Sequence, residues 1–280
     1  MARQYKMLTY NTHLFEGTAP EMRPGMVYAD KLRRNRIIQL VENISADVVG
    51  LCEVWGDDYK QVFQKELKSA YPYSDIHETH FWHMGPGLCI FSKHKITDVS
   101  FVEYDKSADW DGKAGKGVLG LVIEPAGESP LRVFFTHTQS GDYPEIRTTQ
   151  FQQISKLMGK FHPEISRRTL VAGDLNVSAE ISQPKKPSPE YHQMLGFFGG
   201  FKDAVPTCEP QYTSDGLKNC LKNYFSKGDE SRARLDYVLL SENFVFKEAK
   251  VLNDSLWSGD NDHPCKDCSD HYPLMVSFEC

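Results

Sequence analysis

Leu170-Val171-Ala172-Gly173-Asp174-Leu175-Asn176 sets three apolar residues before a glycine, with two polar side chains close behind. A short apolar run closed by a turn-forming residue reads as a buried strand. Asp174 and Asn176 therefore stand where a strand gives way to a loop, the place where a rigid sheet presents reactive groups. The same arrangement recurs on either side. Tyr10 is followed by Asn11, Leu51-Cys52 by Glu53, Phe135-Thr136 by His137, Arg234-Leu235 by Asp236, and Cys268-Ser269 by Asp270-His271.

The remaining chain supplies the scaffold for these strand ends. Strands are expected at Met7–Tyr10, ending at Asn11, and at Asp47–Cys52, Gly87–Ser92, Thr97–Tyr104, Val118–Glu124, Leu131–Thr136, Leu170–Ala172, Leu235–Leu240 and Leu274–Phe278. Apolar residues return at three- and four-residue intervals over Leu32–Ile44, with Asp30 as a candidate cap, and over Ile146–Phe161, which predicts two helices. Phe63 and Leu67 suit a third, ended near Tyr71-Pro72. The Pro-rich stretch Ser182–Glu190 predicts a loop. Strands interspersed with a few helices imply α/β packing, and so many strands need two sheets. No linker or repeat divides the 280 residues, so residues 1–280 are expected to form one domain.

Composition narrows the partners. A hydrophobic fraction of 40% is ample for a core, and a net charge of −6 repels a polyanion, which weighs against a nucleic-acid substrate. No run approaches the roughly 20 apolar residues that span a bilayer. The start Met1-Ala2-Arg3-Gln4-Tyr5-Lys6 has no basic-then-apolar signal, which favours a cytoplasmic or peripheral-membrane location unless a secretion leader has been removed. Seven cysteines cannot all pair within the chain. Cys52 and Cys89 lie in apolar runs and read as buried small hydrophobes. For Cys265-Lys266-Asp267-Cys268, a disulfide or two thiols is favoured over zinc, because zinc wants two further ligands and His263 supplies one.

Taken singly, each polar strand end has an ordinary structural reading. Asn11 suits a turn, Glu53 a helix first turn, Asp174 a cap, His137 a hydrogen-bonded histidine, and Asp236 an ion pair with Arg234. Together they compose a chemistry. A phosphodiester is anionic and resists hydroxide, so its hydrolysis needs a cation to offset charge and a base to activate water. Glu53 and the Asn11 amide are hard oxygen donors suited to Mg²⁺. A histidine near its natural pKa can take a proton from water, and an aspartate can fix its tautomer, a pairing that Asp236 and His271 fit.

These motifs resemble the endonuclease/exonuclease/phosphatase superfamily. Asn11, Glu53, His137, Gly173-Asp174-Leu175-Asn176, Leu235-Asp236-Tyr237 and Ser269-Asp270-His271 follow the family order over almost the whole chain. The flanks look most like neutral sphingomyelinases: Glu53-Val54-Trp55, Gly87-Leu88-Cys89-Ile90-Phe91-Ser92-Lys93, Thr136-His137-Thr138-Gln139 and Ser269-Asp270-His271-Tyr272-Pro273. Asp111 and Lys116-Gly117 resemble an Asp/Lys pair of that family, whose lysine approaches the substrate phosphate; the ordinary reading of Lys116 is a loop lysine before a strand.

The resemblance implies a four-layer α/β/β/α sandwich of two packed mixed sheets. It implies hydrolysis of sphingomyelin, or a related choline phospholipid, by activated water, with Mg²⁺ as cofactor and Mn²⁺ or Co²⁺ as substitutes. The substrate would be met at a membrane surface or in micelles. Glu53 would be the main metal ligand with Asn11 nearby, and Asp270 would line the metal-water region. His271 would be general base, oriented by Asp236; Asp174 and Asn176 would position phosphate and water; His137 would donate to the phosphoryl or leaving oxygen, and Lys116 would approach the substrate phosphate. A nuclease or inositol-phosphate phosphatase is the alternative on this scaffold, and a catalytically silent interaction protein has no physical need for the full set. One departure stands out. Secreted bacterial sphingomyelinases carry an aromatic hairpin before Ser-Asp-His, whereas Trp257–Cys268 here is short and acidic after Trp257.

Overall fold

The computed structural model describes residues 3–16, 18, 25–77, 84–160, 168–181, 186–205, 211–252 and 265–279. The expected acidic loop over 257–264, part of the Pro-rich stretch (182–185), His263 and the C-terminal end of the expected helix at Phe161 lie outside the described residues.

In chain order the first half runs β1 (Gln4–Leu14), α1 (Asp30–Ile44), β2 (Val48–Val54), α2 (Asp57–Leu67), β3 (Tyr73–Ile76), β4 (Cys89–Ser92), β5 (Lys95–Glu103), β6 (Gly117–Glu124), β7 (Leu131–His137) and α3 (Pro144–Met158). The second half runs β8 (Thr169–Asp174), β9 (Glu180–Ile181), β10 (Lys186–Pro187), α4 (Pro189–Phe197), β11 (Lys202–Asp203), β12 (Ser214–Asp215), α5 (Cys220–Phe225), β13 (Arg232–Ala233), β14 (Asp236–Leu240), β15 (Val245–Val251) and β16 (Leu274–Glu279). Two mixed six-stranded sheets result, ordered β15-β16-β1-β2-β4-β3 and β11-β14-β8-β7-β6-β5.

Alternation along the strands dictates the layers. Met7, Cys52, Val133, Phe135, Ala172 and Val276 belong to the core shared by the two sheets. Their neighbours point the other way. Leu8, Val49 and Leu51 pack with Ile37 and Val41 of α1 and Phe63 of α2; Phe134 and Val171 pack with Ile154 of α3 and Met194 of α4. With both faces covered, a strand must be apolar at nearly every position, which is why these runs read as continuous hydrophobic stretches. The order is helix, sheet, sheet, helix, as the resemblance implied.

The differences from the sequence reading are local. β3 and β15 carry no strand signal in the sequence: Tyr73-Ser74-Asp75-Ile76 is short and polar, and most of β15 is exposed at a sheet edge. Helix α4 begins at Pro189, inside the stretch read as a loop, with Ser188 capping it by accepting from the Tyr191 N–H. Asp30 does not cap α1. Its carboxylate turns back to accept from the Phe15, Glu16 and Tyr28 N–H groups. Cys265 pairs with Cys220, not with its near neighbour Cys268, which is a buried free thiol like Cys52 and Cys89.

Strand register brings the polar ends together. His137 pairs across the ladder with Asp174, and Asp174 with Asp236. Gly173 makes this closeness feasible. It sits at φ +135°, and a Cβ there would lie 1.8 Å from the Thr136 carbonyl oxygen. Gly173→Ala is expected to lower the unfolding free energy by about 3 kcal/mol or more, read as a shift in the urea midpoint; an unchanged midpoint would contradict the tight β7–β8 approach.

Candidate active site

Strands deliver most of the functional side chains, and Lys116, Asn176, Asp270 and His271 come from the loops that adjoin them. Asn11 and His13 come from β1, Glu53 from β2, His137 from β7, Asp174 from β8 and Asp236 from the start of β14. The β1–β2 ladder shifts register between Asn11 and Leu14, and both His13 (φ 48°) and Glu53 (φ 57°) take left-handed backbone. Such irregularities re-aim side chains that a regular strand would send elsewhere. Here they send Glu53 toward the seam of the two sheets. Asn176, also left-handed at φ 49°, turns its N–H onto Asp174 Oδ1 at 3.0 Å.

The result is a cavity of about 310 Å³ whose lining includes Asn11, Glu53, Lys116, His137, Asp174, Asn176, Asp270 and His271. Of the expected site residues only Asp236 stands outside the lining, fully buried behind His271. A more voluminous groove of about 620 Å³ runs past Lys65, Tyr73, Asp75 and Val99. Among the described residues it is lined by no histidine and by one carboxylate, so volume is not what marks the reactive place.

Hydrogen bonds fix the cluster. The Asn11 amide nitrogen donates to Glu53 Oε1 at 2.8 Å and to Asp174 Oδ2 at 2.9 Å, while its oxygen accepts from the His13 N–H at 3.2 Å. Asn11 thus meets the carboxylates as a donor that orients them. His271 Nδ1 lies 2.8 Å from Asp236 Oδ2, which leaves Nε2 for the cavity. Lys116 Nζ is 2.8 Å from Asp111 Oδ1 and 2.9 Å from His137 Nε2, and donates to the Thr138 carbonyl at 3.0 Å.

Electrostatics follow from the crowding. Burial and Asp236 raise the Asp174 carboxyl well above the usual range. Burial alone would lower His271, but Asp236, Asp174 and Asp270 outweigh it and raise the imidazole to about 10. His137 goes the opposite way: burial, then Lys116 and His271, hold it neutral.

Sequence reading missed three features. His13 lies between the carboxylates of Glu53 and Asp270, at 3.5 and 3.4 Å; as a histidine two positions past Asn11, it could have been suspected. Phe15, Trp55, Met84 and Ala114 form an apolar cluster beside the cavity, with Trp110 half-exposed at its mouth. The third is the buried Arg33. It donates to the carbonyls of Thr12, His13, Tyr28 and Cys268 and to Asp30, so one side chain ties the β1 end to the segment carrying Asp270 and His271. Nothing in the helical pattern of α1 distinguishes Arg33 from its neighbour Arg34.

A model of the endonuclease/exonuclease/phosphatase family matches residues 8–271. The chain belongs to this family. Sphingomyelin phosphodiesterase 2 of Mus musculus is 28% identical over 89% of the chain and 60% of its own length, and sphingomyelinase C of Leptospira interrogans is 24% identical over 96% of the chain and 50% of its own length. The chain therefore spans between half and two thirds of these relatives. Among solved structures, beta toxin of Staphylococcus aureus shares the fold at a TM-score of 0.79, with 22% identity over 97% of this chain and 99% of the toxin. A variant of that toxin carries bound magnesium ions and matches at 0.76, with 21% identity over 98% and 99% of the two chains.

The residues fit a divalent cation. Asp270 is held below the usual carboxylate range because His13, His271 and Arg33 outweigh its burial, so it is ionised and can serve a cation. Among the described residues, Glu53 Oε2 has only a long 3.4 Å contact from Trp55 Nε1 besides His13. Asp174, Asp236 and His271 also hold ligand atoms within 4.8 Å of one another. Two of these three groups are already joined by the Asp236–His271 hydrogen bond.

Two outcomes are expected. Arg33→Met leaves Asp30 buried without its cation and should cost about 3–5 kcal/mol in chemical denaturation; a loss below about 1 kcal/mol would refute the clamp. The charge on His271 stabilises the fold fully below the ordinary imidazole value of 6.5, and that contribution is lost as pH rises through about 10. The raised Asp174 adds a penalty of the same sign as pH climbs above 3.8. Chelator-treated protein should therefore melt at progressively lower temperature toward alkaline pH, and Asp236→Asn should flatten the slope; equal slopes would contradict the pairing.

Proposed function

We propose that the chain is a divalent-metal-dependent phosphodiesterase of phospholipase C type, acting as one catalytic domain. It would hydrolyse sphingomyelin, or a related choline phospholipid, to ceramide or another lipid alcohol and phosphocholine. The observation that carries this reading is a single cavity that unites the His271 imidazole, backed by buried Asp236, with the carboxylates of Glu53, Asp174 and Asp270, a buried lysine and an apolar wall.

Glu53 and Asp270 would hold the cation, with Asn11 steering Glu53. When bound, the cation supplies polarisation of a phosphoryl oxygen and the positive potential that lowers the proton affinity of His271. His271 Nε2 would take the proton of the attacking water as its oxygen bonds to phosphorus, and Asp236 would keep Nδ1–H in place and steady the imidazolium that forms. The bond from phosphorus to the lipid oxygen breaks, and that oxygen would leave as the alcohol with a proton taken from solvent water. Asp174 and Asn176, joined by their own hydrogen bond, position water and phosphate. Lys116 donates to the phosphate by releasing one of its three present contacts. His137, held neutral, keeps the wall beside the phosphoryl group from carrying a second charge.

The apolar wall fits a lipid better than a polynucleotide. Phe15, Trp55, Met84 and Trp110 offer surface for a trimethylammonium group or the first carbons of a lipid alcohol. The net charge of −6 does not favour a polyanion. No helix among the described residues is long and apolar enough to cross a membrane, so the substrate would be met at a surface or in micelles.

Purified protein should release phosphocholine from sphingomyelin in mixed micelles with Mg²⁺, and chelation should abolish the release. His271→Ala should lower kcat by about 10³-fold, and Lys116→Ala by about 10²-fold. Assayed beside lysophospholipid, abasic DNA and an inositol phosphate, sphingomyelin should be the fastest substrate. Faster cleavage of DNA would sink the lipid reading, and full activity in Lys116→Ala would remove that residue from the site.

A further inference from the structure

His13 is a buried side chain that the proposed hydrolysis does not use. Its ring lies against Phe225, with centroids 4.1 Å apart, and Phe15, at 4.9 Å. Its carbonyl accepts from Arg33 at 2.6 Å, and its backbone is left-handed at φ 48°. The ring is therefore held in one orientation. Nδ1 faces the Glu53 and Asp270 carboxylates, and Nε2 is buried without a hydrogen-bond partner among the described residues.

Distances and donor chemistry distinguish a ligand from a hydrogen-bonded histidine. An N–H donating to carboxylate closes to about 2.7–2.9 Å, yet Nδ1 stands 3.5 Å from Glu53 Oε2 and 3.4 Å from Asp270 Oδ2. A cation at ordinary ligand lengths of about 2.1 Å joins two atoms 3.5 Å apart at an angle of roughly 110°. Metal-binding histidines are normally steadied by a hydrogen bond from the second ring nitrogen. Here the clamp of Phe15 and Phe225 does that work.

We propose that His13 Nδ1 is a ligand to the cation held by Glu53, and that it biases the site toward ions that accept nitrogen, Mn²⁺ and Co²⁺ over Mg²⁺. The inference rests on the reading of Glu53 as a cation ligand. Mg²⁺ favours oxygen and sheds water reluctantly, whereas imidazole suits the later first-row ions, whose affinities rise along the series. Replacing one oxygen donor by an imidazole thus changes the order of preference without altering the charge that the carboxylates supply.

Pulsed EPR of the full chain loaded with Mn²⁺ tests this directly, because a coordinated imidazole imprints ¹⁴N modulation on the electron-spin echo. Wild-type protein should show that modulation and His13→Gln should lose it. By calorimetry, His13→Gln should lower Mn²⁺ affinity about tenfold and Mg²⁺ affinity by much less. Absence of ¹⁴N modulation in the wild type, or its persistence in His13→Gln, overturns the assignment, and the wild-type spectrum decides even where the variant does not fold. Glu53→Gln should abolish Mn²⁺ binding; binding retained with ¹⁴N modulation would overturn the shared site. Sphingomyelin hydrolysis is scored separately: ¹⁴N modulation in a protein inert toward every lipid would keep His13 as a ligand and reject the lipid reading alone.

Discussion

Four carboxylates, Glu53, Asp174, Asp236 and Asp270, crowd one end of the seam between two sheets, and like charges removed from water cannot gather there uncompensated. Much around the site answers that constraint. Lys116 faces Asp111 and His137, His271 lies against Asp236, His13 lies between Glu53 and Asp270, and Arg33 approaches from behind through Asp30 and four carbonyls. A divalent cation would be a further element of the same balance. Stability and chemistry are therefore linked, since the charge arrangement that strains the fold without metal is the one that would attract metal and polarise a phosphoryl oxygen.

The sandwich is suited to holding such a cluster. Its shared core continues up to the site, with Cys52 and Phe135 just beneath the carboxylates, and a Cβ on Gly50 would collide with the Phe135 ring. Packing this close leaves the strand ends little freedom, so the site geometry is set before any substrate arrives. The disulfide adds a tether on the other side. Cys220–Cys265 joins α5 to the segment that ends in Ser269-Asp270-His271, and Asn219 donates to the Ser269 carbonyl at 2.9 Å. Phe225, at the end of the same helix, packs on His13. The segment from Cys265 to His271 is thus anchored beside the acid cluster.

Buried strands and two-faced helices were legible because their side chains carry the period of the element: β2, β6, β7, β8 and β14 were each placed to within a few residues, as were α1 and α3. Edge strands were not. β15 has solvent on most of its positions, so its sequence, Val245-Phe246-Lys247-Glu248-Ala249-Lys250-Val251, carries no burial signal, and only pairing with β16 makes it a strand. The pairing of Cys265 was closed to sequence for a related reason. Proximity of two thiols in the chain says nothing of Cα separation in space, and Cys220 stands 45 positions away.

From the sequence alone came the kinds of chemical group at the strand ends and their order, since residue type and apolar flanks are local properties. The meeting of those groups is not local. Ladder register set His137, Asp174 and Asp236 side by side, left-handed backbone at His13 and Glu53 turned two more groups inward, and Arg33 acquired its role only because α1 docks beside the C-terminal segment. These depend on contacts between residues as many as 235 positions apart, and such contacts exist only once the two sheets have closed on a common core.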